Sequence, residues 1–440
     1  MRDGFKMPAK DAPPDESRQD EPRNRTAILL SCAGIMAIAV PFAMVVLWAK
    51  IASKNADAVT WGSDIYALLG MVLIAIALGI AAIAQPAWRE RATDHAQFVT
   101  SELWLIFAAL VLIHGSLAFL LERAAPGTNI DTYTFQRDAC KSLLQGNDPY
   151  GATQANIFDS FHTEVFFGPG MVVNGRVQVG FQYPPLTLLW VVPGYLLGDV
   201  RYSYILAVII SAALSFAISP DKGGLGIVSV LLLSPATFLV ENRCWTEPLV
   251  LMMLSATVYA AVRKRSWLPV ALGLFLATKQ YNFLALPFIG CFVWPFQWKA
   301  YWKLAGLSLA IGAATLLPFA IWNFRGLWHD LVLFHLAQPF RPDAVSFAVL
   351  FPFMLKLGPA LLVAFMAWAI RVGMRNSAQF AAAYGVALLL LVSTSKQAFA
   401  NYYFLVGQAF LLAVAALCGS SMKSTGRRSA QIEGASTPTE

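Results

Sequence analysis

Apolar runs recur along almost the whole chain, at about 26–49, 65–84, 103–121, 184–198, 202–218, 225–240, 248–262, 267–278, 283–296, 303–322, 346–370, 378–394 and 401–418. Several approach the roughly 20 residues that an α-helix needs to cross a hydrocarbon layer. Those beginning at 184, 225, 267 and 283 are shorter and read as tilted, broken or re-entrant, since backbone at membrane depth must satisfy its own hydrogen bonds. With 58% hydrophobic and 13% charged residues, the 440-residue chain has too little polar surface to clothe a soluble globule of its size. The expectation is an all-α polytopic membrane protein.

The formal charge of +7 does not point to nucleic acid, because the basic residues sit at the ends of apolar runs and form no aromatic-interleaved patch. They read instead as markers of the cytoplasmic side. Arg89 and Arg91, Arg263 to Arg265, Lys299 with Lys303, Arg371 with Arg375, and Lys423 with Arg427 and Arg428 then lie inside. The Asp131 region, Glu241 to Glu247, Lys279, residues 323–345 and Lys396 fall outside. Both termini are expected inside, which thirteen spans would not allow, so the run after Pro184 is expected to fall short and about twelve helices to span.

Residues 1–25 and 420–440 are polar and read as flexible cytoplasmic tails flanking one membrane domain, 26–419. The first apolar run is too long for a cleavable signal and stays as a helix. The chain shows no internal repeat. The five cysteines have no CxxC spacing and read as small buried hydrophobes, with Cys140 and Cys244 on one side and free to pair.

The polar stretch within 122–183 is the long interruption in this pattern, and its aromatic content argues against disorder. Asp131 to Gln145 patterns as an amphipathic surface helix stopped by Gly146-Asn147. Asn147-Asp-Pro-Tyr150 is a turn, Val172-Val173 and Val177 to Val179 flank an Asn-Gly hairpin signal, and Pro185 restarts a helix. A carboxylate just outside a span is partly desolvated, which raises its basicity and suits general-base work. Asp131 occupies that position, and Asp138, two turns on, would share its face. On residue physics alone the readier reading of Asp131 is a helix N-cap, which does not exclude catalysis.

Arg137 and Arg176 offer planar donor sets for a phosphate or carboxylate, or are simply solvated. Glu241 to Glu247, Lys279-Gln280 and Lys396-Gln397 emerge on the same side, where charges beside apolar runs are costly unless they face a cavity or a partner. A cavity lined by Arg243, Lys279 and Lys396 would suit an anionic lipid headgroup; interfacial snorkelling is the alternative. The smaller outer segment 323–345 carries His329, Asp330, His335 and Arg341 among aromatics, as a lid or a binding surface. No P-loop, dinucleotide fingerprint, HExxH or GxSxG motif is present. His162 with Glu164 is too thin a set to call a metal site, and neither metal nor cofactor is expected.

The Asp131-Thr-Tyr-Thr-Phe135 opening, the Gly-Asn-Asp-Pro-Tyr150 turn, the Tyr183-Pro-Pro-Leu186 return and the Lys279-Gln280 pair together resemble bacterial GT-C-fold integral-membrane glycosyltransferases. The likeness is nearest to the polyprenyl-phosphate-mannose-dependent α-mannosyltransferases and covers residues 103–300. It departs at Phe135, where that family usually has Tyr, and at Glu241-Asn242, where it usually has Gly-Gln. The resemblance implies a GT-C-like fold in a bacterial inner membrane, a polyprenyl-phosphate sugar donor and a glycan or glycolipid acceptor. Carried over, Asp131 with Asp138 would be catalytic, Lys279, Arg243, Lys396 and Arg137 would hold donor phosphate, and Tyr133, Tyr150, Tyr183, Gln280 and Glu247 would line the substrate. A transporter or flippase of lipid-linked saccharides, and a non-catalytic subunit of a glycan assembly machine, are the competing readings.

Overall fold

The computed structural model describes residues 16–52, 64–85, 101–125, 127, 128 and 130–419. The expected tails at 1–15 and 420–440, and the basic markers Arg89, Arg91, Lys423, Arg427 and Arg428, lie outside these residues. Apart from one small sheet, the described residues are mainly helical: α1 Glu16–Ala52, α2 Asp64–Ile83, α3 Ser101–Ala124, α4 Asp131–Leu144, α5 Ser160–Phe166, α6 Pro185–Leu196, α7 Arg201–Ile218, α8 Lys222–Leu233 and α9 Pro235–Asn242. There follow α10 Glu247–Arg263, α11 Leu268–Thr278, α12 Trp298–Trp328, α13 Phe334–Ala337, α14 Phe347–Leu350, α15 Met354–Val372, α16 Ser377–Ser393 and α17 Ala400–Gly419. Helix α1 begins at Glu16, inside the segment read as tail.

Seven helices among the described residues are long and apolar enough to cross a membrane, or eight if α8 and α9, bent by 46°, form one span. The difference from the twelve expected lies in short apolar helices. One is α6, whose 12 residues rise only about 18 Å at 1.5 Å each, against a hydrocarbon core of roughly 30 Å. Helix α17 is buried along nearly its whole length, packed by α1, α10 and α16. Its approach to α1 depends on small residues: a Cβ at Gly407 would stand 2.8 Å from the Gly34 carbonyl oxygen. Such glycine contacts let membrane helices pack backbone to backbone.

Three breaks interrupt the apolar helices, and side chains repair each. At Ser234-Pro235, Thr237 Oγ1 donates to the Leu231 carbonyl (2.6 Å) and His114 Nδ1 to the Leu232 carbonyl (2.7 Å). The other His114 nitrogen lies 2.9 Å from Glu241 Oε1, so α3 is tied to both halves of the bent pair. At Lys279 the backbone is extended between α11 and the 3-10 segment Gln280–Val293. There Thr187 Oγ1 donates to the Thr278 carbonyl (2.8 Å) and Asn282 Nδ2 to the Phe275 carbonyl (2.7 Å). At Asn323, non-helical within α12, the side chain accepts from Gly326 N (2.8 Å) and donates to Asp148 (2.5 Å).

Between α3 and α6 the polar stretch folds as read in α4, the turn and the hairpin, and adds the short helix α5, which the sequence reading did not give. The hairpin strands β2 Val172–Val173 and β3 Arg176–Val177 are joined by β1 Gln154–Ala155 in the order β1-β3-β2, all antiparallel. Phe135, Phe167, Met171, Val177, Val179 and Phe334 form its own small core. Asp148 is the turn residue expected, accepting from Tyr150 N at 2.9 Å. Cys140 and Cys244 are both buried and unpaired, so the optional disulfide is not made.

The buried carboxylate of Asp330, in the single π-helical turn His329–Leu333, locks this module to the segment after α12. It accepts from the amides of Gly180 (2.9 Å) and Phe181 (3.0 Å). Glycine is required at 180, because a Cβ there would stand 2.1 Å from the Pro149 carbonyl oxygen and 2.9 Å from Asp330 Oδ2. Each hydrogen bond to a charged group is worth about 1.5–3 kcal/mol. Asp330→Ala is therefore expected to lower stability by roughly 3 kcal/mol, read as a lower thermal unfolding midpoint; an unchanged midpoint would remove the lock from the fold's energetics.

Candidate active site around Asp131 and the Lys279–Glu247 pair

Helix α4 is amphipathic, and its buried face carries Thr132, Phe135, Gln136, Ala139 and Cys140. That face is docked by hydrogen bonds onto the turn that follows α9. Thr132 Oγ1 donates to the Arg243 carbonyl and Gln136 Nε2 to the Cys244 carbonyl, each at 2.7 Å, and the Tyr204 hydroxyl donates to Gln136 Oε1. Cys244 adopts φ of 53°, which turns these carbonyls toward the helix. The docking fixes where α4 begins.

Asp131 is the first residue of α4, and the N-cap position belongs to Ile130, which makes no side-chain cap. The capping reading is thus corrected: Asp131 Oδ1 accepts from its neighbour, Thr132 N, at 2.7 Å. The helix dipole favours an anion there. Burial nevertheless pushes the Asp131 pKa upward, opposed by that N–H and by the charge of Arg341. A carboxylate placed in this way is more basic than a solvated one.

Tyr183 links Asp131 to a second charged centre. Burial raises its hydroxyl pKa well above the ordinary value, and the charges of Asp131 and Glu247 both add to the shift. Its ring lies 5.2 Å from Lys279 Nζ, with Tyr281 at 5.3 Å and Tyr402 at 5.4 Å, so three aromatic faces surround the ammonium. Lys279 Nζ donates to Glu247 Oε1 at 2.5 Å, and the Tyr281 hydroxyl donates to the same oxygen at 3.0 Å. Glu247 is fully buried, and among the described residues its second oxygen has no hydrogen-bond partner. The extended backbone at Lys279 delivers the side chain into this basket from the break between two helices.

The remaining sequence candidates occupy varied positions. Asp138 does not join Asp131; its carboxylate takes Arg137 Nε at 2.9 Å, in a pair with Arg137 and Asp138 side chains 48% and 35% exposed. The other candidate cations are mostly engaged elsewhere: Lys396 Nζ donates to the carbonyls of Leu336 (2.8 Å) and Gln338. Arg176 binds Thr153. Tyr150 is buried, and its hydroxyl donates to the Tyr183 carbonyl at 2.8 Å, so it shapes the site from behind. Gln280 Nε2 reaches the carbonyls of Gln182 (3.1 Å) and Leu331 (3.3 Å). The Tyr133 ring has the guanidinium groups of Arg137 at 5.9 Å and Arg201 at 5.3 Å. Arg243 differs from the other cations. Half-buried, its guanidinium makes no hydrogen bond or ion pair among the described residues, and its own carbonyl adjoins Thr132.

Sequence reasoning missed two groups. Arg201 is fully buried and pairs with Asp199 and Glu122, tying α7 to α3 behind Tyr133. An arginine opening an apolar run was the available signal. Arg341 was seen only as part of an outer segment; it makes a two-pronged pair with Asp343, 2.7 Å on each arm, between the rings of Phe166 (3.8 Å) and Phe399 (4.9 Å). His162 pairs with Asp159 at the exposed start of α5 (2.7 Å), away from the carboxylates of the site.

No family model and no curated relative matches the chain. Among solved structures it is similar to the crystal structure of ArnT from Cupriavidus metallidurans bound to undecaprenyl phosphate, with a TM-score of 0.47 and 17% identity over 76% of this chain and 62% of that one. The apo state of the same protein gives 0.45 and 15%, over 75% and 61%. The chain thus spans less than two thirds of that protein's length, and a likeness this loose carries no argument about chemistry.

Removing one member of a buried ion pair strands the other charge, at a cost of about 3–5 kcal/mol. Lys279→Met alone is expected to destabilise the protein by that order, while Lys279→Met with Glu247→Gln recovers most of the loss. Thermal unfolding of the singles and the double measures the coupling, and additive losses would show that the pair is not energetically linked.

Proposed function

We propose that the protein is a membrane glycosyltransferase that moves a sugar from a polyprenyl-phosphate donor to a hydroxyl of a lipid- or glycan-linked acceptor, on the outer face of a bacterial inner membrane. The observation that carries this reading is Asp131: a half-buried, basicity-raised carboxylate at the start of a helix docked on the turn that carries Arg243, whose guanidinium makes no hydrogen bond or ion pair among the described residues. A base and an anion-binding group are what single-displacement transfer from a lipid phosphate needs.

In the proposed reaction the acceptor oxygen attacks the anomeric carbon while Asp131 takes the hydroxyl proton. The bond from that carbon to the phosphate oxygen breaks, and the polyprenyl phosphate leaves with the electron pair and is held by Arg243. Attack opposite the leaving group inverts the anomeric centre. Because Glu247 already neutralises Lys279, this pair is better suited to the sugar than to the phosphate. Its ammonium and carboxylate offer donor and acceptor to hydroxyl groups, with Tyr183, Tyr281 and Tyr402 as apolar ring faces. A mannosyl donor follows from the family resemblance alone and is part of the proposal. A phosphate-bearing donor is what the chemistry of the site supports; that the phosphate is polyprenyl-linked follows from the family resemblance, and not from the lipid bound by the loosely similar structure.

Asp131→Asn keeps the size and removes the base. Product formation with lipid-phosphate sugars is expected to fall at least 100-fold, the lower end of general-base contributions, while donor binding persists; full retention of glycan product would defeat the assignment of Asp131 as the base. The pH dependence has a definite sign. Asp131 must be ionised to act, and its pKa lies above the ordinary carboxylate value. The wild-type rate is therefore expected to rise with pH through a midpoint above about 4, and that limb is expected to vanish in the residual activity of Asp131→Asn.

A further inference from the structure

The end of the molecule away from Asp131 carries a surface of a different kind. Helix α10 runs from Glu247, in the site, to Arg263, and α12 runs from Trp298 back to the Asn323 kink beside Asp148, so the α10–α11 turn and the start of α12 share the far end. There Trp267, Trp294, Phe296, Trp298 and Trp302 are 69%, 46%, 45%, 64% and 62% exposed, an aromatic band that no part of the described chain covers. Phe296 meets Trp298 edge to face at 5.1 Å, and Trp298 stacks on Trp302 at 6.2 Å, one helical turn along α12.

Four cations from three separate segments converge on this band. Arg265, from the α10–α11 turn, reaches the Phe292 carbonyl. Arg375, from the α15–α16 turn, lies 4.5 Å over the Trp294 ring. Lys299 and Lys303 are exposed on the first turns of α12, each next in sequence to one of the stacked tryptophans. None of the four has an acidic partner among the described residues. The sequence explains this: no Asp or Glu occurs between Glu247 and Asp330, or between Asp343 and Glu433. A membrane protein that only needed flanking charge would have no reason to gather cations from three turns around stacked aromatics.

We propose that Arg265, Lys299, Lys303 and Arg375, with the Trp294 to Trp302 ring platform, form a binding site for the headgroup of an anionic phospholipid. The aromatic rings suit the headgroup level, where apolar body and polar surroundings meet. Arginine and lysine supply the phosphate contacts, the first as a planar fork and the second as a point charge. The site stands apart from the proposed transfer chemistry and does not depend on it.

The test uses full-length protein in mixed micelles and follows quenching of tryptophan fluorescence by brominated phosphatidylglycerol and, separately, brominated phosphatidylcholine. Wild type is expected to prefer the anionic lipid. Each cation near an anionic surface contributes about 1 kcal/mol, so Lys299→Gln with Lys303→Gln, and separately Arg265→Gln with Arg375→Gln, are each expected to reduce that preference on the order of 25-fold. Unchanged quenching by phosphatidylcholine in both variants shows that the protein remains folded. Equal affinity of wild type for the two lipids, or an undiminished preference in both variants, would overturn the proposal. So would displacement of phosphatidylglycerol by millimolar glycerol phosphate, which would make this a site for a soluble phosphate instead.

Discussion

A helix broken inside an apolar environment leaves carbonyl and amide groups that water cannot reach, and each must find a partner within the protein. The fold depends on meeting that demand at Ser234, Lys279 and Asn323. At Ser234 the freed carbonyls are taken by Thr237 and by His114, at Lys279 by Thr187 and Asn282, and at Asn323 the side chain replaces the missing backbone bond. The site is assembled from these same breaks. The Ser234 break sends α9 toward the turn whose carbonyls dock α4, and the Lys279 break delivers an ammonium into the tyrosine basket. Asn323 holds the turn at Asp148. The irregular backbone is what brings polar chemistry to one place in an otherwise apolar bundle.

Electrostatics then sorts the charged groups. A buried charge is tolerated when it is paired, because desolvation otherwise exceeds any local gain. Lys279 has Glu247, Arg201 has Asp199 and Glu122, and Arg341 has Asp343. These pairs hold elements together and leave little net charge for an anionic ligand. Asp131 and Arg243 are exceptions: the first has only the Thr132 amide and the more distant charge of Arg341, the second no partner among the described residues. Both are half-buried. A carboxylate and a guanidinium with so few partners are groups that a substrate can engage.

Much of this was legible in the chain. The apolar runs located the helices, the alternation of polar, turn and β-branched residues between Asp131 and Pro185 gave α4, the Asp148 turn and the hairpin, and Pro184-Pro185 marked the restart of a helix. The individual roles at the site were less legible, for a physical reason. Sequence shows which cations lie near helix ends but not which carboxylate reaches them, so Lys279 and Arg243 looked equivalent until Glu247 was seen to neutralise the first. In the same way Asp138, a helical neighbour of Asp131 by spacing, is drawn off by the adjacent Arg137. Asp330 and Arg201 owe their roles to partners about 150 and 80 residues away in the chain, the Gly180 amide and the Glu122 carboxylate, which no local pattern encodes.

The same rigidity bears on the choice between transfer and transport. A transporter needs an element with two arrangements of comparable energy. A transferase needs its base held to within a fraction of an ångström of the reacting oxygen, since small misplacements cost large factors in rate. Around Asp131 the second requirement is the one addressed. Helix α4 is pinned by Thr132, Gln136 and Tyr204, and the segment after α12 is stitched to the α16–α17 connection by Arg341 N to the Lys396 carbonyl (3.0 Å) and Val345 N to the Ala398 carbonyl (2.8 Å). Asp330 fastens that segment to Gly180 and Phe181, two residues from Tyr183. To move any one of these elements as a gate would break several buried hydrogen bonds at once, each about 1 kcal/mol or more, with no alternative partners in view. A scaffold fixed from three sides around the Asp131 carboxylate fits a catalyst better than a carrier.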